Sequence, residues 1–173
     1  MTQVDDIAGE SRPSALAPSV AAGSVHSIGE IGLQQFAPYL MNRIMGRYNA
    51  TVRDALKARN LSTPQMRALA VLAVADGLSV NELAVYTVIE QSTMSRTLDA
   101  MAAKGWVRRV ARDKDNRVRR IHITAAGRNL FDEMWPTMWG AFSSMFEGVS
   151  DREYATFLSV LHRMLINIRQ HEF

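Results

Sequence analysis

Residues 79–124 read SVNELAVYTVIEQSTMSRTLDAMAAKGWVRRVARDKDNRVRRIHIT, and this stretch decides the fold. Ser79 and Glu82 stand at capping-box spacing, where hydroxyl and carboxylate each take a backbone amide of a first turn, so a short helix is predicted at about 80–86. A break follows at Thr87 to Glu90. Gln91 to Lys104 then carries Met94, Leu98 and Met101 at three- and four-residue spacing, the apolar face of a second helix, with Gly105 just past its end. Two short helices joined by a tight turn make a helix-turn-helix. Beyond it Trp106 to Ala111 holds strand formers, Arg112 to Arg117 is polar and turn-like, and Val118 to Thr124 alternates so that Ile121 and Ile123 share a face. The expectation is a hairpin of two short strands.

Working outward, Leu33, Phe36, Leu40, Ile44, Tyr48, Val52 and Ala55 form one stripe of a long helix from Gly29 to about Arg59. Pro38 near its start either kinks it or sets its true first turn. A helix at 64–76 is capped by Ser62 or Thr63, has Pro64 at its first position and is followed by Gly77. On the other side Thr124 caps a helix striped with Phe131, Met134, Trp135, Met138, Trp139, Phe142, Met145 and Phe146, in which Pro136 is expected to cause a bend. Ser150 and Glu153 repeat the capping-box spacing ahead of a last helix, to about Gln170, faced by Tyr154, Phe157, Leu161, Leu165 and Ile168. Residues 1–27, rich in Ala, Ser, Gly and Pro and without an aromatic, read as a flexible arm.

The chain has 173 residues, 47% hydrophobic and 21% charged, enough for a buried core. Without cysteine, disulfides, thiolate zinc sites, Cys nucleophiles and cysteine-based redox sensing are all excluded. The longest wholly apolar run, Ala68 to Ala75, falls far short of the roughly 18 residues a membrane helix needs. Asp5, Asp6 and Glu10 with no Lys or Arg in the first ten residues are the opposite of a secretory signal, so the expected location is cytoplasmic. The formal net charge is only +3, yet residues 91–120 alone hold Arg96, Lys104, Arg108, Arg109, Arg112, Lys114, Arg117, Arg119 and Arg120 against Asp99, Asp113 and Asp115. Such a local basic patch suits a polyanion, or else a solvated face.

This order of elements, with Gln91-Ser92-Thr93-Met94-Ser95-Arg96 opening the second helix of the pair and Gly105-Trp106-Val107 closing it, resembles the MarR family of bacterial winged-helix transcription regulators. Asp115-Asn116-Arg117-Val118-Arg119-Arg120 fits the family's Asp-x-Arg-x-x-Arg wing pattern, and Ile123-Thr124 and Gly127 stand where the family usually has Leu-Thr and a Gly. The likeness spans roughly residues 31–170. It implies a mainly α fold with a small β-hairpin wing: a winged helix-turn-helix at 63–124, flanked by dimerisation helices at 29–62 and 125–173, behind an arm at 1–28. The apolar faces of the long helices, more than one such domain covers, also call for a homodimer. The resemblance further implies double-stranded DNA as partner, an inverted-repeat operator, repression by family habit, and release by a small effector, often an aromatic or phenolic acid.

A helix entering the roughly 12 Å wide major groove needs small polar side chains at its N-terminal end and long donors that reach a base. Gln91, Ser92, Thr93, Ser95 and Arg96 supply these, with helix capping by Ser92 and Thr93 as the alternative use. Wing-tip residues Arg112, Lys114 and Arg117 suit phosphate or a narrow minor groove, and the resemblance assigns the groove to Arg117. Asp115 is expected to pair with Arg117 or Arg120 and fix the wing's shape, since an exposed pair contributes only about 0 to 1 kcal/mol. Arg108, Arg109, Arg119 and Arg120 fit either phosphate contact or a solvated hairpin face. Tyr39, Arg43, Met66 and Trp135 are candidate effector contacts, with Arg43 suited to a carboxylate. No Gly-rich phosphate loop, Gly-x-Ser-x-Gly or His-Glu-x-x-His motif is present, and His26, His122, His162 and His171 are scattered. No enzyme, cofactor, metal or membrane partner is expected. A winged helix that binds only protein is the remaining alternative, and it predicts a neutral wing.

Overall fold

Gly32 sits at φ 73°, in the left-handed region open to glycine, and it ends a first helical turn, α1 (Ile28–Ile31). A 3-10 turn at Leu33–Gln35 and an extended Phe36 lead into α2 (Ala37–Ala58). The single helix expected from Gly29 is therefore divided, and Pro38 lies in the first turn of α2, where its missing N–H has no intrahelical partner to lose. The computed structural model describes residues 27–111 and 119–168. Two compact units divide the chain, Met1–Arg47 and Tyr48–Phe173. In the first, Ile28, Leu33, Phe36, Leu40, Ile44 and Met45 are all exposed.

The second unit follows the sequence closely because its starts are locally encoded. Ser62 caps α3 (Thr63–Val74) with Gln65 as the reciprocal partner, and Ser79 caps α4 (Val80–Thr87) with Glu82. Helix α5 (Gln91–Ala103) follows after three residues. Strands β1 (Val107–Ala111) and β2 (Arg119–Ile123) pair antiparallel, Val107 opposite Ile123 and Arg109 opposite Ile121. Thr124 then caps α6 (Ala125–Met145), which runs through Pro136 without interruption, and Ser150 with Glu153 opens α7 (Asp151–Ile168).

Leu69, Leu72, Leu83, Met94, Leu98, Met101, Ile121 and Met134 are fully buried and form the centre of one core drawn from α3, α4, α5, β2 and α6. Gly127 shows how closely α6 approaches the hairpin: a Cβ there would lie 2.2 Å from the Trp106 carbonyl oxygen, so only glycine fits. By contrast α7 buries none of its residues, and Phe157, Val160, Leu165, Ile166 and Ile168 stay exposed along it.

Candidate nucleic-acid interface

Helix α5 separates two kinds of side chain. Met94, Leu98 and Met101 are fully buried, while Gln91, Ser92, Thr93 and Arg96 are exposed and Ser95 is half-buried. The first turn is capped by Glu90, not by Ser92 or Thr93. Its carboxylate accepts the Thr93 amide at 3.0 Å and a short hydrogen bond from the Ser92 hydroxyl, to which Arg96 Nη2 also reaches at 3.5 Å. Hydrogen bonds from Ser92, then from the Thr93 amide, hold the Glu90 carboxyl below its usual pKa. Sequence reasoning missed this residue. The available signal was an acidic side chain three positions ahead of an amide with no intrahelical acceptor.

The hairpin is tied to the helices at its base. Gly77 N donates to the Ile121 carbonyl at 3.0 Å and Ile121 N to the Leu78 carbonyl at 2.8 Å, so the α3–α4 link runs as a partial third strand. Arg120 Nη1 reaches Glu82 Oε2 at 2.7 Å and the Gly77 carbonyl at 3.3 Å. His122 Nδ1 lies 2.8 Å from Asp76 Oδ2, whose other oxygen accepts the Ile123 amide. Burial raises the Asp76 pKa, but the hydrogen bonds from His122 and Ile123 outweigh it, and the group stays below its ordinary value. Glu82 is lowered as well, first by the Ser79 amide and hydroxyl and then by Arg120.

The four hairpin arginines therefore separate. Arg109 Nη2 sits 2.8 Å from Asp99 Oδ1 on α5, an ion pair without hydrogen-bond alignment, since its Nε and Nη2 find no acceptor among the described residues. Arg120 is held by Glu82, a partner the sequence reading did not foresee when it placed Asp115 beside it. Arg108 and Arg119 are exposed. Lys104 donates to the Asn60 carbonyl at 3.2 Å and stands over the Trp106 ring. Arg112, Lys114, Asp115 and Arg117 lie outside the described residues, and with them the expected wing-tip contacts.

Of the candidate effector contacts, Tyr39 and Arg43 meet one turn apart in the first unit, with Arg43 Nη1 3.3 Å from the tyrosine oxygen and the guanidinium 5.8 Å from the ring centre. In the second unit Met66 is buried in the core, and Trp135 is exposed on α6 between Phe131 and Trp139. Among the described residues no group of three His, Asp or Glu is placed to hold a metal, and no helix is long and apolar enough to cross a membrane.

A sequence profile of the MarR family matches residues 59–117, starting just past α2 and including α3, α4, α5 and β1. A MarR family transcriptional regulator from Silicibacter pomeroyi, known from its crystal structure, is 49% identical, with 86% of this chain and 100% of that one covered at a TM-score of 0.81. A second, from Silicibacter pomeroyi DSS, is 32% identical, covering 89% of this chain and 100% of its own at a TM-score of 0.75. The HTH-type transcriptional repressor IacR of Pseudomonas putida is 26% identical over 154 residues, 88% of this chain and 90% of that protein.

Proposed function

The chain belongs to the MarR family of transcription regulators, and on that premise we propose that it is a homodimeric, sequence-specific DNA-binding repressor acting in the cytoplasm on an inverted-repeat operator. One observation carries the reading: Gln91, Ser92, Thr93 and Arg96 are exposed at the N-terminal end of a helix whose opposite face, Met94, Leu98 and Met101, is fully buried. Such a helix enters the major groove end-on, and exposed Arg108 and Arg119 beside it suit phosphate. Wing residues Arg112, Lys114 and Arg117 are proposed to extend that contact to the minor groove. The relatives are regulators of transcription, and the chain is read as one rather than as an enzyme.

Dimerisation through residues 29–62 and 125–173 is supported by the uncovered apolar face of α7. A two-fold axis there sets two copies of α5 about one DNA turn apart, hence the inverted repeat. Release by a small molecule belongs to the same proposal. The Arg43 guanidinium beside the Tyr39 ring suits the carboxylate of an aromatic acid. Such a ligand acts only through its differential affinity for the free and DNA-bound states.

Selection of duplexes from a random DNA library, then affinity against salt for the selected sequence, tests the reading. Expected are half-sites about one turn apart and log affinity falling by about 0.9 per neutralised phosphate for each log unit of salt. No enrichment by folded dimer would overturn it in favour of a protein-binding winged helix.

A further inference from the structure

Val88 joins α4 to α5 in a conformation that valine avoids. Its φ of 54° and ψ of 50° lie in the left-handed region, where a β-branched side chain crowds the backbone. Among the described residues the other positive-φ positions are Gly32, Gly77, Gly105 and Gly148, which have no side chain, and Asn60. The turn holds Val88 there from both sides. Arg67 Nη1 donates to the Thr87 carbonyl at 3.3 Å, Thr87 Oγ1 to the Leu83 carbonyl at 2.6 Å, and the Ile89 amide to the Ala84 carbonyl at 3.0 Å.

Side-chain packing among the described residues does not offset that strain, because Val88 is 85% exposed. A glycine would close the same turn unstrained. What valine adds is two methyl groups to the lining of an open groove of about 800 Å³, shared with Asn81, Ala84, Val85, Ile89, Glu90 and Gln91. Glu90 and Gln91 cap and open α5, so the groove is continuous with the surface assigned above to DNA. In the major groove the one apolar group that a base edge presents is the 5-methyl of thymine.

We propose that Val88 is a specificity-determining residue whose exposed methyls contact a thymine 5-methyl in each operator half-site. The inference rests on the DNA-binding reading. Its test uses the duplex selected by the wild-type protein, with each thymine replaced in turn by deoxyuridine, which removes the methyl and leaves base pairing intact. One dT-to-dU replacement in a single half-site is expected to weaken wild-type binding about threefold to fivefold, the scale of one buried methyl, and the matched pair of replacements by about the square of that factor. Val88→Gly and Val88→Ala should bind more weakly and no longer respond at that position. Relief of strain should also raise the melting temperature of Val88→Gly by about 2 to 4 °C.

The same response to deoxyuridine in all three proteins, a selected half-site without thymine, or a Val88→Gly that melts no higher than wild type would overturn the proposal while leaving DNA binding standing. Failure of the wild-type protein to select any duplex overturns both. The alanine variant retains a Cβ in the turn, so it separates loss of the methyls from a loosened backbone.

Discussion

Arg109 and Arg119 belong to one basic hairpin, and the structure sends them different ways. Arg109 is partly buried against Asp99, while Arg119 points to solvent. A side chain that neutralises phosphate sets part of the salt dependence of binding, and one already paired within the protein sets little of it. Arg119→Ala should therefore lower the slope of log affinity against log salt by about 0.9 per protomer, about 1.8 for the dimer, and weaken all DNA sequences alike, whereas Arg109→Ala should keep the wild-type slope. Anisotropy titrations over a salt series check this: an equally lowered slope in both variants would place Arg109 on phosphate too, and an unchanged slope in both would take Arg119 off it. Charge along the sequence cannot make this distinction, because Asp99 and Arg109 meet only once α5 has packed against β1. Glu90 is the same lesson at closer range: an acidic residue just ahead of a basic stretch is explained by the amide it caps.

At the scale of elements, Glu82 couples the start of α4 to the hairpin. It accepts the Ser79 amide at 2.6 Å and pairs with Arg120 on β2, 38 residues away. Because its folded pKa is lowered, its contribution to stability is complete above the ordinary glutamate value of about 4.3 and is lost as pH falls through the folded value. Glu82→Gln removes the ionisable group and keeps the shape. Its melting temperature is expected to be lower than wild type near neutrality and to fall less between about pH 5 and pH 3. Thermal melts across that range decide it, and parallel curves would remove Glu82 from the linkage. The cap was legible, since Ser79 and Glu82 are three residues apart and the motif is local. Its tie to Arg120, like that of Asp76 to His122, was not, because neither partner carries a mark of the other in sequence.

For the whole molecule, the question is what covers α7. Leu165 is 60% exposed, so a charge there costs the protomer little, yet at a dimer interface it would be buried without a partner. Leu165→Arg is expected to leave the helical circular dichroism spectrum unchanged and to shift sedimentation from dimer to monomer; a normal dimer would place the interface elsewhere. Sequence by itself determined the order of the main helices, the capped starts of α3, α4, α6 and α7, the hairpin and the family likeness. Each of these follows from side-chain period and short-range hydrogen bonding, which act within a few residues. It did not foresee the break at Gly32, where a glycine near a helix start reads equally as tolerated or as a stop. Only the tertiary structure decided which arginines are held within the protein, why Gly127 tolerates no side chain, and that Val88 is kept strained in the open. The first two are matters of contact between segments far apart in the chain, and the third of which residues that contact leaves uncovered; both exist only once the core has closed.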